Sequence, residues 1–238
     1  MKKLIYLALP LFIAACGGGG DSSSSSTPAP TLNLNAAYVD YMKTGNQTTR
    51  TISGGCSGTE VETNSAAYSG KNGAGVTGLI INNSVVDTIS ASSPKVCSTK
   101  LFSGTGSIDK NFYDATTLLP VTNGYTPQYN VYSNQQAFPT SVTAGSAGTI
   151  YTYQDFNGTS SPVSSAIVTY AVSADSASTL LVTITETSTL VSGAPYYTAA
   201  TTYRLNANNT LSEISQKATV YNSVTGIGDL AISTTVVR

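Results

Sequence analysis

The chain has 238 residues with 11 basic and 12 acidic side chains, a formal net charge of −1, and no histidine or tryptophan. Only 10% of the residues are charged, so there is no basic stripe to hold nucleic acid, and without imidazole neither Ser-His-Asp nor Cys-His catalysis nor histidine metal ligation is available. The abundance of Ser, Thr, Gly, Val and Tyr, with 15 Tyr in all, is the composition of sheets and turns.

Lys2 and Lys3 precede an apolar run from Leu4 to Ala15, broken only by Pro10. The run is shorter than the roughly 20 residues of a spanning helix and has the form of a secretory signal over residues 1–15. The stretch Ile13-Ala14-Ala15-Cys16 resembles the bacterial lipobox, with an aliphatic residue and two small residues before the cysteine. That resemblance implies cleavage before Cys16, lipid on Cys16, and a protein held to a membrane by its acyl chains. In lipoproteins of Gram-negative bacteria an Asp after the lipidated cysteine usually marks the inner membrane. Here the position is Gly17, which points to the outer membrane without choosing its periplasmic or its surface side.

Residues 17–30 read GGGGDSSSSSTPAP and have too few apolar side chains to pack. With Cys16 they form an expected tether over residues 16–31, with a root-mean-square span of about 20 Å and a limit near 50 Å. A β-rich domain is expected over residues 32–238. Leu34, Ala37, Tyr38, Tyr41 and Met42 recur at helical spacing, with Asn33 or Asn35 placed to cap and Gly45 past the end, which predicts a short helix over 35–43.

Strand-like runs follow at Thr48–Ser53, Thr59–Thr63, Val76–Asn82, Val85–Ile89 and Val96–Phe102. In the last of these, Cys97, Thr99 and Leu101 share the inward face, with Lys95 and Lys100 marking a solvated side. Cys56 and Cys97 remain as an even pair in an oxidising compartment, which predicts a disulfide. Further runs at 149–156, 163–172, 179–191, 196–205, 210–221 and 230–237 are joined by turns too short for anything but antiparallel neighbours. The fold expected is mainly β: an antiparallel meander forming a curved sheet, barrel-like or sandwich, with one short N-terminal helix. Its Ser and Thr content argues against a membrane-spanning barrel, whose outer band is apolar.

Catalytic patterns are sparse. S-x-x-K spacing at Ser92/Lys95 and Ser107/Lys110 is expected by chance in so serine-rich a chain. The tract from Gly70 to Gly75 has the lysine on the wrong side of the second glycine for a phosphate loop and reads as a turn. Glu60 and Glu62, two apart on a strand, point the same way and read as a solvated face. Asp109, Asp114, Asp155, Glu186 and Glu213 are scattered.

Aromatics gather between Tyr125 and Phe156. Tyr129, Tyr132, Tyr151 and Tyr153 are the candidate binding surface, and a period of two sends Tyr151 and Tyr153 one way and Ile150 and Phe156 the other. The sequence therefore points to a membrane-anchored envelope lipoprotein that binds or supports and does not catalyse. It calls for no cofactor or metal, and its partner is a membrane through the lipid plus an unspecified protein, glycan or lipid, not nucleic acid. The alternatives are a carrier of a lipid or small ligand in a curved-sheet cavity, and a histidine-free carboxylate hydrolase.

Overall fold

The structure is a computed structural model that describes residues 30–97, 108–121, 128–158, 160–226 and 228–237. The expected signal segment, Cys16 and the expected tether up to residue 29 lie outside the described residues, as do Lys100, Ser107 and Tyr125.

Helix α1 (Leu34–Thr44) begins where the Asn33 side chain accepts the Ala36 N–H at 2.9 Å. It ends at Gly45, whose φ of 76° would place a Cβ 2.5 Å from the Ala66 nitrogen. Leu34 and Ala37 are wholly buried, and Tyr38 and Tyr41 carry the same face onto Phe138 and Tyr203, with ring centroids 4.6 and 5.6 Å apart.

The strands are β1 (Asn46–Gly54), β2 (Gly58–Asn64), β3 (Tyr68–Lys71), β4 (Thr77–Ile89), β5 (Ile108–Tyr113), β6 (Gln128–Ser133), β7 (Ala147–Asn157), β8 (Ser164–Ala174), β9 (Leu180–Leu190), β10 (Pro195–Leu205), β11 (Leu211–Val220) and β12 (Leu230–Val236). All pair antiparallel. The meander runs unbroken from β6 to β12, and β12 hands on to β1, β2 and β4. Along β4, strands β3 and β2 follow one another on one side, while β5 pairs with residues 79–84 on the other. The sheet is one piece, is not closed, and ends on β5 and β6. Asn111 and Tyr113 of β5 and Asn130 and Tyr132 of β6 line one cavity, so the two free edges face each other across a seam. The expected curved sheet is thus a barrel-like one open at a seam, not a sandwich.

Alternation decides what faces in. On β9, Leu180, Val182, Ile184, Glu186 and Ser188 look inward and Thr183, Thr185, Thr187 and Thr189 outward, and β1 and β12 also present Thr and Ser outside. The outer face of these strands is a hydroxyl ladder. The larger core cluster joins α1 to β7–β10 through Leu34, Ala37, Val168, Val182 and Leu205. A smaller one surrounds the cysteine pair with Ile52, Leu230 and Ile232. Cys56 and Cys97 sit at disulfide distance with Cα atoms 5.9 Å apart, both buried.

Several expectations are corrected. Val76–Asn82 and Val85–Ile89 are one strand, because Asn83 and Ser84 carry ladder partners on both sides instead of turning. Lys95 and Val96 lie in a helical turn that delivers Cys97, not in a strand, and Cys97 donates its N–H to Pro94. The tract from Gly70 to Gly75 splits between the end of β3 and a turn held by Asn72, whose side chain accepts from Ala74 and Val76.

Candidate functional site

The seam between β5 and β6 opens into a cleft of about 980 Å³. Among the described residues six tyrosines from five elements line it: Tyr38 from α1, Tyr113 from β5, Tyr129 and Tyr132 from β6, Tyr151 from β7 and Tyr196 from β10. Tyr132 meets Tyr151 edge-on at 5.5 Å, and Tyr129 stacks flat on Phe156 at 4.9 Å, its partner in register. Burial pushes the Tyr38 hydroxyl up to about 12. Burial, then the neighbouring phenols and carboxylates, also raises Tyr113 and Tyr151, so the Tyr38, Tyr113 and Tyr151 hydroxyls are neutral donors and acceptors at physiological pH. Among the described residues the charged side chains on the lining are Lys110 and Asp155, one of each sign. Asp155 accepts from the Ser164 hydroxyl at 2.9 Å.

Two β-bulges shape this wall, and a third lies away from it. The pairing steps from Thr149↔Thr169 to Tyr151↔Val168, leaving Ile150 as the extra residue of β7. Ile150 is therefore buried in the same core cluster as Tyr153, with Tyr151 packed against it, and the expected division of Ile150 from the two tyrosines does not occur. A second bulge leaves Tyr196 unpaired on β10, and Tyr196 lines the cleft while Tyr197 points to the interior. The third leaves Ile214 extra on β11 and turns Glu213 inward opposite Tyr203.

Of the four candidate tyrosines, Tyr129, Tyr132 and Tyr151 line the cleft. Tyr153 is buried behind it, where its hydroxyl and that of Tyr197 both donate to the same oxygen of Glu186. Burial, followed by the Glu186 charge, raises both phenols, so they stay protonated as donors.

A second polar group lies inside the sheet. Arg50 is 4% exposed and donates through Nε and Nη2 to Glu213 at 2.7 Å each, through Nη2 to Glu62 at 2.6 Å, and through Nη1 to Glu60. Burial alone would lower the Arg50 pKa, but the carboxylates outweigh it and hold the group charged. Asn64 and Asn83 donate to the remaining oxygen of Glu62 at 3.1 and 2.7 Å. Glu60 and Glu62 do point the same way, as expected, but inward: they are arginine partners, not a solvated face. Beside them Asp87, opposite Glu60 in register, is raised to about 6 by burial and then by the Glu60 charge and hydrogen bond. Its buried Oδ1 has no partner, which costs less when the carboxyl is neutral.

The remaining expected positions are not gathered. Asp114 caps the turn after β5 by accepting from Thr116 and Thr117. Ser92 hydrogen-bonds Ser90 at the surface, so the Ser92/Lys95 spacing builds no site. Among the described residues no cluster of Cys, Asp and Glu is arranged to hold a metal ion. Arg50, Tyr113 and Tyr196 were not singled out by sequence, and Tyr38 was read as part of a helix face and not as a site residue. Arg50 had a signal, since an arginine at a core-facing strand position needs carboxylate partners. No family model, curated protein or solved structure matches the chain.

Proposed function

We propose that this protein is a ligand-binding module of the bacterial cell envelope, tethered at the outer membrane through lipid on Cys16, with the seam cleft as its binding site. The observation that carries the reading is the convergence of tyrosines from α1, β5, β6 and β7 in an open cleft of ligand size. Interior packing needs no such opening, and aromatic side chains with polar tips are what recognition surfaces use.

The lining favours binding over the two alternatives. Its aliphatic side chains are few, so a lipid chain finds little to bury against. Its one acidic side chain among the described residues is Asp155, whereas carboxylate hydrolysis needs a facing pair. The converging carboxylates Glu60 and Asp87 are the observation on the hydrolase side, but Glu60 is bound by Arg50 and neither lines the cleft.

The test is retention of small molecules from an envelope extract on immobilised protein, compared with the Tyr132→Ala/Tyr151→Ala variant and read by mass spectrometry. Compounds retained by the wild type and lost by the folded variant are expected. Equal retention by both would remove the cleft from the account.

A further inference from the structure

The chemistry of the lining narrows the ligand. Phenol hydroxyls and the side-chain amides of Asn111 and Asn130 supply paired donors and acceptors without net charge, and Lys110 and Asp155 balance one another. Among the described residues a phosphorylated or carboxylated ligand would find no surplus of cations, and an alkyl chain would find Pro120, Val121, Val163 and Leu190 as its aliphatic contacts. A neutral molecule with many hydroxyls and flat C–H faces fits both halves of the surface: hydroxyls pair with phenols and amides, while the weakly positive C–H edges lie on the negative faces of aromatic rings. The edge-on pair Tyr132 and Tyr151 and the rings of Tyr129 and Phe156, stacked on one another 4° from parallel, border the cleft and offer such faces.

We infer that the cleft binds a neutral carbohydrate chain, an inference that rests on the cleft being the ligand site. Its volume of about 980 Å³ lies at the upper end for ligand pockets, and it is partly open to solvent, which suits a ligand of several sugar units. Tyr132 lines the cleft, touching Tyr151 with its ring and accepting from Asn130 with its hydroxyl at 3.4 Å. It therefore contributes a stacking face and a hydroxyl contact together.

The experiment is calorimetric titration of the protein with neutral tetrasaccharides of glucose, N-acetylglucosamine, mannose and galactose, each to about 5 mM, alongside decanoate and inorganic phosphate. At least one tetrasaccharide is expected to bind. Tyr132→Phe, which keeps the ring and the fold, should weaken it about threefold or more for the lost hydroxyl contact, and Tyr132→Ala about tenfold or more. Binding of decanoate or phosphate that is lost in Tyr132→Ala, with no tetrasaccharide bound, would overturn the carbohydrate class and leave the cleft as the ligand site. A tetrasaccharide that binds both variants like the wild type would overturn its placement in the cleft. No tetrasaccharide binding at all would overturn the inference, and the extract experiment would then judge the cleft separately.

Discussion

Arg50 on β1 and Glu213 on β11 are joined by two hydrogen bonds of 2.7 Å although β12 lies between their strands. The Ile214 bulge makes this possible by turning Glu213 onto the inner face, and Glu60 and Glu62 complete the arginine's partners. Removing the arginine leaves three carboxylates facing one another with little water. Arg50→Met is therefore expected to destabilise the fold by about 3 to 5 kcal/mol, as breaking a buried pair from one side does. Urea unfolding followed by circular dichroism checks this, and a loss below about 1 kcal/mol would show that the cluster is solvated enough to stand alone.

Asp87 gives the fold a pH dependence of definite sign. Its folded pKa of about 6 lies above the unfolded value near 3.9, so its contribution is fully present below about pH 4 and is lost as pH rises through about 6. Asp87→Asn should be insensitive to pH in that window. At pH 8 it should melt about 2 to 4 °C above the wild type, the shift that roughly 1 kcal/mol gives a chain of this size once partial solvent screening is allowed for. Melting curves at pH 5 and pH 8 decide it, and an unchanged difference between the two pH values in the variant would assign the titration elsewhere.

Glu186 depends on two phenols. Tyr153→Phe removes one donor from a carboxylate in the sheet interior and is expected to cost about 1 to 3 kcal/mol, while Tyr151→Phe, at the cleft wall, should cost less. Chemical denaturation of the two variants side by side measures the difference. Equal costs would mean that the Glu186 contact contributes nothing specific.

The cysteine pair closes a loop of 41 residues, and its loss in Cys56→Ser/Cys97→Ser should cost roughly 3 to 4.5 kcal/mol on the chain-entropy account. A non-reduced digest should yield one peptide joining Cys56 to Cys97. Two free thiols in oxidatively expressed protein would contradict the pairing.

Lipid on Cys16 is tested in cells. Cys16→Ser should lose labelling by radioactive palmitate and leave the membrane fraction, and undiminished labelling would show that the Ile13–Cys16 match has another meaning.

Much of the fold could be read from patterns that the chain obeys locally. Asn33 and Gly45 bounded the helix because capping chemistry acts within one turn, and the β-meander followed from β-branched runs separated by short turns. Strands β3, β5 and β6 are short and polar, and their pairing is fixed by distant partners, so no local period marks them. The site was half legible. Tyr129, Tyr132 and Tyr151 stood out as aromatics, but the Ile150 and Tyr196 bulges that aim the wall break the period of two on which such reading depends. Tyr38 and Tyr113 joined them only because the sheet curls until β5 faces β6. Glu60 and Glu62 looked solvated although Arg50 is only 10 and 12 residues away, because which face of β1 and β2 turns inward is set by distant partners such as Glu213, 163 residues from Arg50.

The central claim, that ligand enters at the seam, is most directly tested by amide hydrogen exchange of the protein with and without the envelope-extract fraction it retains. The account predicts slowed exchange at residues 110–113 and 129–132, on the two edges that flank the cleft, with β11 and β12 unchanged. Protection confined to the outer hydroxyl face, or spread evenly over the sheet, would contradict it.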